Sequence, residues 1–121
     1  MDNSPTVLLV EDDPIILDAT QETLSEGGCS VRAAASYAEA IRALADCPPA
    51  AVLVADIMLE GADSGLDLVR QVHAQRPDMG IIVLSGAVRP AADSLPGKAL
   101  FCTKPCAPGA LLTLVRECTQ W

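Results

Sequence analysis

The sequence predicts an α/β fold, a doubly wound five-stranded parallel sheet with helices on both faces. Two patterns in the chain carry that prediction. Five short apolar runs alternate with five helical patterns, and the runs are apolar at consecutive rather than alternate positions, as in strands covered on both faces. The length agrees: 121 residues suit one domain spanning residues 1–121. A hydrophobic content of 50% supplies a core and excludes a disordered tail.

Val7-Leu8-Leu9-Val10 is the first buried strand type. Asp13-Pro14 reads as an N-cap followed by proline at the first helical position. Ile16, Thr20 and Leu24 then share a helical face with Leu17 beside them, and Gly27-Gly28 closes the helix. Val31 to Ala34 forms a second, poorer strand. Ser36-Tyr37-Ala38-Glu39 is a capping box ahead of inward Ile41 and Leu44, and Cys47-Pro48-Pro49 ends that helix. Ala51 to Ala55 is a third strand, and Glu60 to Ser64 a loop. Leu66, Val69 and Val72 make the next helical stripe, which Pro77 stops. Ile81 to Leu84 is a fourth strand. Between Val88 and Gly97, the prolines at 90 and 96 leave room for about two helical turns, so the fourth helix is short or irregular. Ala99 to Cys102 is a fifth strand. Pro108 opens a last helix with Leu111, Leu114, Val115 and Cys118 facing inward.

Right-handed crossovers leave few topologies for such a chain. At this length the natural strand order is 2-1-3-4-5, the flavodoxin-like arrangement.

Composition excludes several functions. A net charge of −8 opposes direct binding to nucleic acid, which needs a basic footprint; it reads either as simple solubility or as carboxylates crowded to hold a cation. The apolar runs are strand-sized, too short to span a membrane. Met1 to Pro5 lacks the basic and apolar regions of a signal peptide, so a cytoplasmic location is expected. The five cysteines, Cys29, Cys47, Cys102, Cys106 and Cys118, are odd in number. With no secretory signal they read as free, mostly buried thiols, not a disulfide framework. Cys102 and Cys106 are not a tight Cys-x-x-Cys pair, and His73 lies in another segment on the third helix, so zinc is not expected.

In a sheet of this kind ligands bind beyond the carboxyl ends of the strands, near the switch in strand order. Strand 1 is followed by Glu11-Asp12-Asp13, strand 3 by Asp56, strand 4 by Ser85-Gly86 and strand 5 by Thr103-Lys104-Pro105. Carboxylates on neighbouring strands repel one another, and a hard divalent cation resolves the conflict. Mg²⁺ prefers one or two carboxylates, waters and phosphate oxygens. Asp56 is the central acid, and a carboxylate can attack phosphorus to give an aspartyl phosphate. Phosphoryl transfer needs mainly positioning and charge neutralisation; Lys104 would supply a mobile point charge and Ser85 a hydrogen bond. Each residue has a plainer reading alone. Glu11 and Asp13 can be helix-start acids, the better reading for Asp13. Asp56 can cap a turn, Ser85 can be a turn residue and Lys104 a surface charge. Their convergence on one sheet edge favours the joint reading.

This pattern resembles the receiver domain of two-component response regulators. The resemblance runs from about Val7 to Val115, through Leu8-Leu9-Val10-Glu11-Asp12-Asp13-Pro14, Val54-Ala55-Asp56-Ile57-Met58-Leu59, Ile82-Val83-Leu84-Ser85-Gly86 and Phe101-Cys102-Thr103-Lys104-Pro105. It implies Asp56 as phosphoacceptor and Asp12 as direct ligand of Mg²⁺ (or Mn²⁺ in its place). Glu11 would act through water, and Met58 would offer its backbone carbonyl. It implies Ser85 and Phe101 as the switch pair, Lys104 as the phosphate contact, and a cis Lys104–Pro105 bond. It further implies a phosphohistidine donor, either a sensor histidine kinase or a histidine phosphotransfer protein. A downstream protein partner would meet the fourth helix, fifth strand and last helix. No outside substrate is turned over; the domain catalyses only its own phosphorylation and dephosphorylation.

The chain departs from the family pattern at Glu11, where Asp is usual, and at Cys106, where Phe is common. The Asp56–Gly65 loop is one residue longer than the common form. Lys104 comes only nineteen positions after Ser85, which resembles receivers attached to hybrid kinases and some stand-alone receivers. Two rival classes weaken on inspection. An Asp-nucleophile phosphatase wants a second acid at position 58, which is Met58. A flavin binder wants a Ser/Thr-rich loop where Glu11-Asp12-Asp13 stands. A phosphorylation-independent scaffold with the same fold remains as the alternative.

Overall fold

Alternation within three central strands divides the core between two sheet faces. A computed structural model describes residues 4–45, 49–56, 65–85, 99–103 and 106–119. Its elements are β1 (Thr6–Val10), α1 (Pro14–Glu26), β2 (Ser30–Ala34), α2 (Tyr37–Ala43), β3 (Val52–Asp56), α3 (Gly65–Gln75), β4 (Gly80–Ser85), β5 (Leu100–Thr103) and α4 (Pro108–Thr119). All strand pairs are parallel, in the order β2-β1-β3-β4-β5, as the sequence predicts.

Successive side chains of a strand point to opposite faces. Leu8, Val10, Leu53, Ala55, Ile81 and Val83 therefore meet α2 and α3 through Ala40, Ala43, Leu68, Val69 and Val72. Val7, Leu9, Val52, Val54, Ile82 and Leu84 meet α1 and α4 through Leu24, Leu111 and Val115. Every residue of β3 is buried, as a central strand of a doubly covered sheet requires.

The helix ends form as their residues dictate. Asp13 caps α1, its Oδ1 accepting from the backbone N–H of Ile15 at 2.9 Å and of Ile16 at 3.4 Å, with Pro14 just inside. Gly28 adopts a φ of 99°, the left-handed value that ends the turn into β2. At α2, Ser36 Oγ accepts from Glu39 N–H at 3.2 Å, and Glu39 Oε2 accepts in return from Ala35 N–H at 3.0 Å. Arg76, just past α3, ties that helix end to the segment leading into β3, donating to Ala50 O at 3.2 Å. A Cβ on Gly80 would lie 2.6 Å from Cys118 Cβ, so the glycine lets β4 and α4 approach.

Several expectations change. Ile16 is exposed, whereas Leu24 of the same expected face is buried and Leu17 beside it packs on the core, so the inward stripe of α1 is centred nearer Leu17 and Leu24. The third, fourth and fifth strands each run one residue further than expected, to Asp56, Ser85 and Thr103, because those residues still pair in the ladder. Four helices lie among the described residues. The expected fourth helix between Val88 and Gly97, the Glu60–Ser64 loop and Cys47-Pro48 fall outside them.

Cys29 is buried and Cys118 half-buried, both free, as expected. Cys102 and Cys106 are instead joined as a disulfide. The expectation of free thiols weighed cysteine count and metal spacing. It missed that the two Cα atoms lie 6.1 Å apart, inside the span a disulfide bridges.

Candidate functional site

Parallel strands all end at the same sheet edge, so the register decides which ends are neighbours. Val10 pairs with Ala55, Asp56 with Leu84, and Ser85 with Thr103. The last residues of β1, β3, β4 and β5 thus stand in a row. Glu11 N–H donates to Ala34 O at 3.1 Å, carrying the β1–β2 pairing one step beyond the strand and fixing where Glu11 leaves it.

Three acids gather at this edge. One carboxylate oxygen from each of Glu11, Asp12 and Asp56 lies within 4.8 Å of the other two. Glu11 is 2% exposed and Asp56 5%, as deeply buried as the aliphatic residues preceding them; Asp12 is partly exposed and opens the cluster toward solvent. Two buried carboxylates this close repel by of order 3 kcal/mol at an effective dielectric of about 20. A hard divalent cation takes oxygen ligands of this kind and number. The three residues fit Mg²⁺.

Asp13, the neighbouring acid, is spent on the α1 cap, the role its position suggested. Ser85 ends β4 opposite Thr103, which puts its backbone two strands from β1 and next to Asp56's strand. Phe101 is half-buried in β5 and packs against the cluster under α2 and α3. Met58 and Lys104 lie outside the described residues. The paired cysteines at positions 102 and 106 are the feature of this edge that sequence reasoning passed over. The available signal was two cysteines flanking a Lys-Pro step, where a strand hands over to a helix.

An apolar cleft of about 430 Å³ opens beside the edge between α1 and the start of α4, lined by Ile16, Ala19, Thr20, Thr23, Leu84, Cys106, Pro108 and Leu111. No helix among the described residues is long and apolar enough to cross a membrane.

Comparison with known proteins gives a consistent result. The family described as response regulator receiver domain matches residues 7–116. The chain is 34% identical over 122 residues to the C4-dicarboxylate transport transcriptional regulatory protein DctD of Pseudomonas aeruginosa, covering 98% of this chain and 26% of that protein. It is 38% identical over 86 residues to the transcriptional regulatory protein AruR of the same species, covering 68% of this chain and 34% of that one. The chain thus spans about a third or less of these relatives' lengths. Among solved structures, a response regulator receiver protein from Sinorhizobium medicae superposes with a TM-score of 0.88 at 27% identity, covering 98% of this chain and 96% of that one. The receiver domain of NtrX from Brucella abortus gives 0.85 at 25% identity, covering 94% and 98%.

Proposed function

The chain belongs to the response regulator receiver domain family, and from that premise we propose that it is a phosphoacceptor switch acting at Asp56. The carrying observation is the meeting of Glu11, Asp12 and Asp56 at the carboxyl edge of the sheet, their oxygens within 4.8 Å. A carboxylate oxygen of Asp56 attacks the phosphorus of a phosphohistidine. The P–N bond breaks with its electron pair left on the imidazole nitrogen, a proton from solvent completes the imidazole, and Asp56 becomes an acyl phosphate.

Glu11, Asp12 and Asp56 would hold the divalent cation, Asp12 as a direct ligand and Glu11 through water, with the backbone carbonyl of Met58 assigned as a further ligand by the family pattern. When bound, Mg²⁺ supplies the positive charge that offsets the incoming phosphoryl oxygens. The burial of Asp56 limits access of water to the acyl phosphate. Lys104, which follows β5 in sequence, and Ser85, which ends β4, are assigned to the phosphoryl oxygens. The added group brings about −1.5 to −2 charges to this edge, and contacts made only in that state shift the equilibrium between two conformations.

The donor in this reading is a sensor histidine kinase or a histidine phosphotransfer protein. The output is a protein contact made near β5 and α4, with Phe101 reporting the state of the site. The domain modifies only itself and turns over no outside substrate. A cytoplasmic location fits the relatives, which are transcriptional regulators.

Incubation with acetyl phosphate, with and without Mg²⁺, tests this reading. Intact-mass measurement is expected to show one added phosphoryl group that requires the cation and is absent in Asp56→Asn. Failure of uptake from acetyl phosphate and from a phosphorylated histidine donor would favour a phosphorylation-independent scaffold.

A further inference from the structure

Two half-buried sulfurs stand at the functional edge while the other described cysteines are remote from it. Cys102 sits in β5 opposite Leu84, the residue that itself pairs with Asp56. Cys106 lies two residues before α4 and lines the open apolar cleft against Ile16 and Leu111. Their Cα atoms are 6.1 Å apart and the sulfurs are joined. The link closes a ring over residues 103–105, so Lys104 lies between its two anchors in sequence.

We propose that Cys102 and Cys106 form a reversible redox pair that regulates phosphorylation at Asp56 by cross-linking β5 to the start of α4. The inference rests on the phosphoacceptor reading of Asp56. In a reducing compartment a disulfide of this kind is transient and redox-sensing, not a permanent staple.

The oxidant is a low-molecular-weight disulfide. Cys106, reachable through the cleft, attacks one of its sulfurs as thiolate, breaking that S–S bond and releasing one small thiolate. Cys102 then attacks the Cys106 sulfur of the mixed disulfide and expels the second. The two protein thiols are oxidised, the small disulfide is reduced to two thiols, and the two cysteine protons end on the departing sulfurs. Cys29 and Cys118 do not compete well, since burial pushes both thiols above their ordinary value of 9.0 and thiolate is the attacking form.

The cross-link acts by preorganisation. With Cys106 tied to Cys102 in β5, the start of α4 is held at the sheet edge before the phosphodonor arrives and not during the reaction. Holding one residue's backbone in advance is worth roughly fivefold in rate, so the oxidised chain accepts phosphate faster.

The full chain, equilibrated over a series of reduced to oxidised glutathione ratios, is digested with trypsin after thiol alkylation. One peptide, Ala99 to Arg116, carries both cysteines, because the Lys104–Pro105 bond resists the enzyme. It is expected to pass from doubly alkylated to unalkylated and two hydrogens lighter as the ratio falls. In parallel, the oxidised chain is expected to take up phosphate from acetyl phosphate and Mg²⁺ roughly fivefold faster than the reduced chain, and Cys106→Ser to run at the reduced rate under every ratio. Absence of the link at all ratios overturns the proposal. Equal rates in the two forms, or a redox response that survives in Cys106→Ser, also overturn it. If neither form takes up phosphate while the peptide still cross-links, the reading of Asp56 falls and the regulatory claim falls with it.

Discussion

Ala55 and Asp56 are neighbours in one strand, and so in effect are Val10 and Glu11, yet the pairs mark two regions with opposite physics. Ala55 and Val10 are fully buried in the sheet's apolar centre, where each face meets a helix pair. Asp56 and Glu11 are 5% and 2% exposed at the carboxyl edge, where the burial is the same and the chemistry is not. The centre gains free energy from every group it removes from water. The edge gains less, since charged groups resist removal from water and like charges repel at that depth. Buried area by itself therefore says nothing about whether a residue serves the fold; its chemistry at that depth does.

The largest expected effect lies in the centre. Leu53 is fully buried in β3 between two paired strands. Leu53→Ala should lower unfolding stability by about 2–5 kcal/mol, lost burial plus a cavity. Urea unfolding monitored by circular dichroism measures it. A loss below about 1 kcal/mol would mean that the centre is not the close-packed region described.

At the edge the sign reverses. Asp56→Asn keeps the shape and removes one charge from the cluster, so without divalent ions it should unfold about 1 kcal/mol later than the parent chain. Mg²⁺ should stabilise the parent by about 1.4 kcal/mol at ten times its dissociation constant, and stabilise Asp56→Asn much less. Thermal unfolding with and without Mg²⁺ checks both. An Asp56→Asn chain less stable than its parent in chelator would show that the carboxylate supports the fold at this depth.

The centre was the more legible region, for a physical reason. Consecutive apolar residues such as Val52 to Ala55 have few places to go except a doubly covered strand, and Asp13-Pro14 and Ser36 to Glu39 carry their caps in their own side chains. The edge was legible as a set of strand ends, so Glu11, Asp12 and Asp56 could be brought together once the strand order was fixed. Detail that depends on three-dimensional return of the chain was not. Ile16 belongs to a helical stripe by spacing, but the rotation of α1 is set by how Leu17 and Leu24 seat on the sheet. Cys102 and Cys106 meet in space with their Cα atoms 6.1 Å apart, which no count of cysteines reveals.

Cys29 gives the smallest effect, and it tests the comparison from the apolar side. Its thiol is buried among Val7, Leu24 and Val52 and is neutral there, so it asks for no cation. Burial pushes its pKa above 9.0, with Arg116 pulling partly the other way. The unfolded chain thus releases the thiol proton at lower pH than the folded one. The stabilising contribution is whole up to about pH 8.5 and shrinks as pH rises from there through the folded-state value. Urea midpoints of the oxidised chain and of Cys29→Ala between pH 7.5 and 10 isolate this term, since every other titrating group is common to both. The difference between the two chains should be constant up to about pH 8.5 and then narrow. A difference that widens with pH would mean that the folded chain holds Cys29 as thiolate, and that the α1/α4 side of the sheet tolerates buried charge as the carboxyl edge does.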